Sequence, residues 1–465
     1  MQPKTLRPIL AIMAGILLFS ACKKVQDVPA TATTVTPVTT TTVSPDLIKD
    51  SALMYTKDLY LWYNQIPSTF DARSYADPSA IMTAIHPYSI EPGFTTAVDR
   101  WSFGMKKTDW DNLSGGLGVN FSSVSTTGDF GLGVFFLVEG DLRVKSVERL
   151  SPAGIAGIHR GWRVTKINGS SDITTGNSSF IIANVYNSTS STFTFLKPDG
   201  TSVDITLSAS TYRQQPVYLD SVYSIASKNI GYLVFNSFLG DTADIYNNFQ
   251  RVFTNFANHN VTDVVVDLRY NGGGYVSVSQ KLADYLVSPV ANGGLMMKEQ
   301  YNDKNAQYND AAYFQKAGPF TPLHIYFIVT SSTASASELL INNLTPYMDV
   351  KLVGPTPTHG KPVGFFPIPV GDWYIFPVSF RSTNKNGSGN YFNGLPVNST
   401  VADGLDKDWG DIQEASLGRA IKSITTGSFA PQYNETYTPQ PAILQGNSRL
   451  DVNSFKGTVD TRGMR

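Results

Sequence analysis

The sequence has little sulfur chemistry to offer, with one cysteine, Cys22, among 465 residues. A lone thiol forms no disulfide within its own chain and builds no cysteine-rich metal site. Histidine is scarce as well, with five copies, so no ligand spacing calls for a metal. Charged residues make up only 16% and nearly balance, 36 basic against 37 acidic. Without a basic stripe, nothing points to nucleic acid. A highly charged substrate is not implied, and no organic cofactor is called for. The apolar run from Ile9 to Phe19 is too short for a comfortable membrane span. What is plentiful is glycine (38) and proline (26), with much Thr, Ser and Asn, the composition of a loop-rich chain containing strands. Its length predicts about two to four domains.

Lys4 and Arg7 precede that apolar run, and small residues follow it, the layout of a secretory signal. Its end, Phe19-Ser20-Ala21-Cys22, resembles a bacterial lipobox, with Phe19 where leucine is usual. The resemblance implies lipidation of Cys22 and an exported, lipid-anchored protein of the bacterial cell envelope, at the periplasm or on the outer membrane. After the leader (1–22), residues 23–45 are Thr, Val and Pro without a period, and read as a tether.

Residues 46–110 carry apolar positions at helical spacing (Leu47, Ile48, Leu53, Met54, Leu59, Tyr60, Trp62), and Ser79 is placed to cap a second helix. From 111 to 210 the signals are strands and turns. LRVKSVERL alternates, WRVTKING closes on Asn168-Gly169, and TFTFLKPDGTSVDITL reads as a hairpin around Pro198-Asp199-Gly200. Residues 211–425 then alternate buried strands (NIGYLVF, TDVVVDL, HIYFIVT, VKLVG) with helices, the pattern of an α/β core covered on both faces. The tail, 426–465, is polar and receives no element.

Chemistry concentrates at IVTSSTASASELL, where a buried strand ends and a helix begins near Ser335. Such a turn exposes a hydroxyl beside free backbone amides and favours negative charge. Capping alone also accounts for Ser and Thr there. Two other segments stand out. Asp267 to Gly274 follows the VVVDL strand with three glycines, permitting close backbone approach or a bare turn. Lys361 sits in Thr358-His359-Gly360-Lys361-Pro362-Val363-Gly364, where desolvation would free its amine to act as a base, although loop lysines are mostly solvated.

In order and spacing these three segments resemble the carboxyl-terminal processing (tail-specific) serine peptidases. The resemblance spans about 110 to 425. It implies a mixed α/β multidomain protein with a crotonase/ClpP-like core, Ser335 as nucleophile and Lys361 as general base. It assigns the oxyanion hole to the amides of Ala336 and Gly274. Residues 111–210 likewise resemble a PDZ domain of the bacterial, circularly permuted kind, through Gly116-Leu117-Gly118-Val119, Ser151 to Ile158, and Ile167-Asn168-Gly169. That resemblance implies capture of a protein or peptide by its free C-terminus at Gly116, Leu117, Gly118 and Val119. Phe365 stands where the family often places a glutamine that orients the lysine, and Pro346 stands near a family aspartate. Lys361 therefore needs another partner, a backbone carbonyl or a hydroxyl. Competing readings are a Ser–His–Asp triad using His359, attack by Ser337, a non-catalytic PDZ-bearing lipoprotein that binds exposed C-termini, and a non-peptidase enzyme on the same core.

Overall fold

The computed structural model describes residues 44–117, 128–429, 450 and 455–461. Cys22 and the leader lie outside them. Helix α1 (Pro45–Leu59) buries Ala52, Thr56 and Leu59, and α2 (Pro78–Ala84) buries Ile81 and Met82. Ser79 is not the cap of α2. Asp77 is, accepting from the Ala80 amide at 2.9 Å, because Pro78 occupies the first helical position and moves the boundary back. Strand β1 (Phe103–Lys106) and α3 (Lys107–Ser114) complete this layer.

Next come β2 (Leu132–Val138), β3 (Asp141–Val147), α4 (Pro152–Ile155), β4 (Arg163–Ile167), α5 (Ser178–Val185), β5 (Ser190–Leu196) and β6 (Ser202–Ser208). The strands form one sheet in sequential order. Alternation puts Leu132, Val134 and Phe136 of β2 inward, against Phe193 and Phe195 of β5. Asn168 (φ +48°) and Gly169 (φ +82°) take the paired positive φ values of a tight primed turn.

The core begins with β7 (Val217–Ile225) and β8 (Lys228–Phe235), followed by α6 (Thr242–Asn258). Ile245, Phe249, Val252, Phe253 and Phe256 form the buried face of α6. Then follow β9 (Asp263–Asp267), β10 (Gly273–Tyr275), α7 (Val276–Leu286), β11 (Leu295–Tyr301), β12 (Asp310–Tyr313), β13 (His324–Ile328), α8 (Ala336–Leu344) and β14 (Asp349–Gly354). Shorter strands β15 (Val363–Gly364), β16 (Ile368–Val370), β17 (Trp373–Phe376), β18 (Phe380–Asn384) and β19 (Ser399–Thr400) lead to α9 (Ala415–Thr426). The main sheet runs β19-β14-β13-β9-β8-β7, parallel except for β7. Every residue of β9 is buried, as in a strand covered on both faces. The mixed α/β architecture expected from the strand–helix rhythm is the one observed.

One strand comes from the stretch that the sequence left without structure. β20 (Gly457–Val459) pairs in parallel with β10, Gly273 opposite Gly457. Leu450, from the same stretch, is buried in the hydrophobic cluster of the β2–β6 sheet.

A buried ionic cluster joins that sheet to the core. Arg160 donates to Asp403 at 2.7 Å, to the Tyr270 hydroxyl at 2.7 Å and to the Lys145 carbonyl at 2.6 Å. Arg269, 1% exposed, pairs with Asp267, Asp403 and Glu414 at 2.7 to 3.0 Å.

Candidate active site

β13 ends in the turn Thr330–Ala334, and α8 begins at Ala336. Ser335, between them, is held at φ +61°, a region that costs a non-glycine residue energy. The side chain thereby stands off the helix axis, beside the first amides of α8.

What holds this turn is Glu338, three residues on and fully buried. Its Oε2 accepts the Ser335 amide at 2.7 Å and the Lys361 amide at 2.9 Å. Its Oε1 accepts the Gly360 amide at 2.6 Å and the Thr358 hydroxyl at 2.5 Å. Burial pushes the carboxyl up, while those donors pull it back. Three backbone amides and a hydroxyl converge on the two oxygens, an arrangement that favours the ionised form against the burial. One carboxylate thus fixes the backbone of both sequence-predicted reactive residues. The sequence reading gave Glu338 no role, yet a serine followed three positions later by glutamate is the signature of a capping box.

Lys361 is 1% exposed and has no acidic hydrogen-bond partner among the described residues. Its Nζ donates to the Lys456 carbonyl at 3.1 Å and lies 3.6 Å from the centre of the Phe365 ring. Burial drives the amine well below the usual lysine range, and the opposing fields of Asp99 and Glu338 do not restore it. The residue in the glutamine position therefore covers the amine with its ring, and a backbone carbonyl accepts from it. Ser335 Oγ is hydrogen-bonded to the Thr458 hydroxyl. Both partners, Lys456 and Thr458, flank Gly457 on the β20 segment.

The glycine loop closes against this pair. Asn271 accepts the Gly273 amide through its side chain at 2.9 Å and donates to the Phe235 carbonyl at 3.0 Å, which stiffens the turn. A Cβ added to Gly273 would stand 2.9 Å from the Ala336 nitrogen, 3.0 Å from Ser335 Cβ and 2.4 Å from the Gly457 carbonyl oxygen. Gly273 (φ +106°) and Gly274 (φ +139°) both lie where only glycine is at ease. The glycine loop, the Ser335 turn and the β20 backbone therefore meet at one point.

The rival reactive groups are otherwise engaged. His359 Nε2 accepts from Trp101 Nε1 at 3.1 Å, so its Nδ1 carries the proton and donates to the Ser331 carbonyl at 3.2 Å. Burial, with the cations of Lys456 and Arg100, lowers its pKa to about 3. Ser337 Oγ donates to the Asn271 carbonyl at 3.0 Å. Of the expected peptide-binding residues, Gly118 and Val119 lie outside the described residues. Gly116 turns at φ +72° against Gly240, and Leu117 bridges to Arg213. Among the described residues no cluster of His, Cys, Asp or Glu forms a metal site, and no helix is long and apolar enough to cross a membrane.

Residues 229–412 match the sequence profile of peptidase family S41. A probable CtpA-like serine protease of Staphylococcus saprophyticus is 25% identical over 238 residues, 50% of this chain and 45% of that protein. The chain thus spans less than half the length of that relative. Among solved structures, the putative S41 protease of Bacteroides fragilis superposes with a TM-score of 0.65 at 21% identity, over 83% of this chain and 99% of the other. The photosystem II D1 C-terminal processing protease aligns over 77% of this chain and 94% of its own, with a TM-score of 0.47 and 18% identity.

Proposed function

Because this chain belongs, through residues 229–412, to peptidase family S41, we propose that it is a serine endopeptidase working with a Ser335–Lys361 dyad. The observation that carries the reading is the Glu338 carboxylate, which anchors the backbones of a strained, buried serine and a buried lysine without an acidic partner. Burial lowers the Lys361 amine well below the usual lysine range, which favours the neutral, basic form. In this mechanism Lys361 takes the Ser335 proton as Oγ attacks the peptide carbonyl. The oxyanion faces the amides of Ala336 and Gly274. The lysine ammonium then protonates the departing amine, and water releases the acyl group by the same route in reverse. Removing one oxyanion donor typically costs about 10²–10³ in turnover.

We further propose that the β2–β6 sheet with α4 and α5 is a PDZ-like module that selects proteins or peptides by their C-termini. Cys22 would carry the lipid that holds the protein at the cell envelope. The family background and the hairpin order of that sheet support the first; the leader sequence supports the second.

The test is turnover of an unstructured protein with an apolar C-terminus by the full chain, beside Ser335→Ala and Lys361→Ala. Cleavage by the parent and by neither variant establishes the dyad. Binding of the same protein without cleavage by any of the three would instead leave a non-catalytic lipoprotein that captures C-termini.

A further inference from the structure

We infer that residues 455–461 are a built-in ligand of the peptide cleft, which keeps the site closed and displays the kind of peptide the cleft accepts. The inference rests on the peptidase reading for its inhibitory half and on geometry alone for its binding half.

Both reactive side chains are engaged by this one segment and not by each other. Ser335 Oγ is bonded to the Thr458 hydroxyl, and Lys361 Nζ to the Lys456 carbonyl. The proton path from serine to lysine is thereby interrupted. The backbone is held on two sides as an added strand is held. On one side Gly457 donates to the Gly272 carbonyl at 3.0 Å, within the parallel register with β10. In such a ladder the next bond runs from the Gly274 amide to the Gly457 carbonyl, so that carbonyl takes one of the two donors of the proposed oxyanion hole. On the other side Phe365 donates to the Thr458 carbonyl at 3.0 Å, and Asp460 donates to the Phe365 carbonyl at 3.1 Å.

The side chains describe the preference. The Phe455 ring packs among Phe103, Trp110 and Phe365, with centroids 5.8 to 6.3 Å away. A Cβ on Gly457 would stand 2.2 Å from the Phe455 ring and 2.7 Å from the Phe365 ring, so only glycine fits between them. Thr458 and Val459 are buried. Leu450, upstream, is anchored in the core of the β2–β6 sheet. The occupant is an extended peptide with an aromatic residue two positions before a glycine, then a small hydroxyl and a β-branched residue.

The experiment uses the full chain and Gly457→Leu, whose side chain has no room between the two rings, with Thr458→Ala as a milder second variant. Ser335 is titrated with a fluorophosphonate probe, and a fluorescent peptide, FKGTVDT, is offered in trans. Losing a tethered ligand, whose effective concentration is about millimolar, should raise labelling about tenfold or more in Gly457→Leu and several-fold in Thr458→Ala. The free peptide should bind Gly457→Leu, not the parent, and weaken when its Phe is changed to Ala. Labelling that is unchanged or lower in both variants, with cooperative melting retained, overturns the inhibitory role and makes the segment an ordinary structural strand. Failure of the peptide to bind Gly457→Leu overturns the cleft assignment. Peptide binding with no Ser335 labelling in any protein retains the cleft and sinks the peptidase reading instead.

Discussion

Ser335 and Lys361, 26 positions apart in sequence, donate their backbone N–H groups to the same oxygen, Oε2 of Glu338, at 2.7 and 2.9 Å. The Ser335 turn and the Lys361 loop are therefore one mechanical unit. Neither can shift without stretching a charge-assisted hydrogen bond in a dry interior.

Glu338→Gln keeps the shape but turns one acceptor into a donor facing backbone N–H groups. Turnover should fall about 10²-fold, the scale of a misplacement near 1 Å, with KM little changed. Stability should drop by about 1–3 kcal/mol for the donors left unpaired. A rise in KM with kcat preserved would contradict a positioning role.

Lys361→Met should abolish most of the rate, a loss of about 10²–10⁴ for a general base, while adding stability. The native amine is depressed below its unfolded value, so the folded state binds its proton more weakly. That penalty is absent above the unfolded lysine pKa and grows as pH falls toward the native one. Denaturant melts should show Lys361→Met gaining on the parent by at least about 1 kcal/mol between pH 10 and pH 7. A constant gap across that range would mean the lysine stays charged.

Glu148 gives the opposite pH signature. Burial raises its carboxyl to about 7, with the Tyr218 hydroxyl bond opposing. A raised native pKa means the folded state holds the proton more tightly. Its stabilisation is complete below the unfolded value near 4.5 and is lost as pH rises through about 7. Glu148→Gln should remove up to roughly 3 kcal/mol of that fall, read as a flatter stability profile from pH 4.5 to 8. Parallel profiles for the two proteins would refute the assignment.

His359→Asn tests the triad alternative directly. With both ring nitrogens committed to Trp101 and Ser331, the histidine is scaffolding, and turnover should fall by less than about tenfold. A triad member would cost on the order of 10⁴.

Much of this was legible in advance because local pattern and packing agreed. The aromatic stripe of α6, the unbroken β9 run and the Pro198-Asp199-Gly200 hairpin each match a single period or turn. The candidate residues Ser335, Lys361 and Gly274 came from the order and spacing of three segments, through a family resemblance, because locally a cap, a solvated loop lysine and a bare turn account for them equally well. What stayed hidden depends on distant partners. FKGTVD is short and polar, and β20 exists because β10 and Phe365 lie on either side of it. Glu338 was visible as a letter, but three of its four donors, from Thr358, Gly360 and Lys361, come from a loop that only the fold brings to it. Pro78 shifted the α2 cap to Asp77 by one local rule overriding another.

The Arg160–Asp403–Arg269 cluster has a consequence for motion. Swinging the β2–β6 sheet away from the core would break the Arg160 bonds to Asp403 and to the Tyr270 hydroxyl and lift its guanidinium off the Trp409 ring. A clam-shell opening is therefore disfavoured, and the frame is rigid at its seam. Access to Ser335 comes by withdrawing a ribbon from a fixed slot, so the kinetics of admission should follow the unzipping of a few strand hydrogen bonds and the release of Phe455 from its aromatic nest.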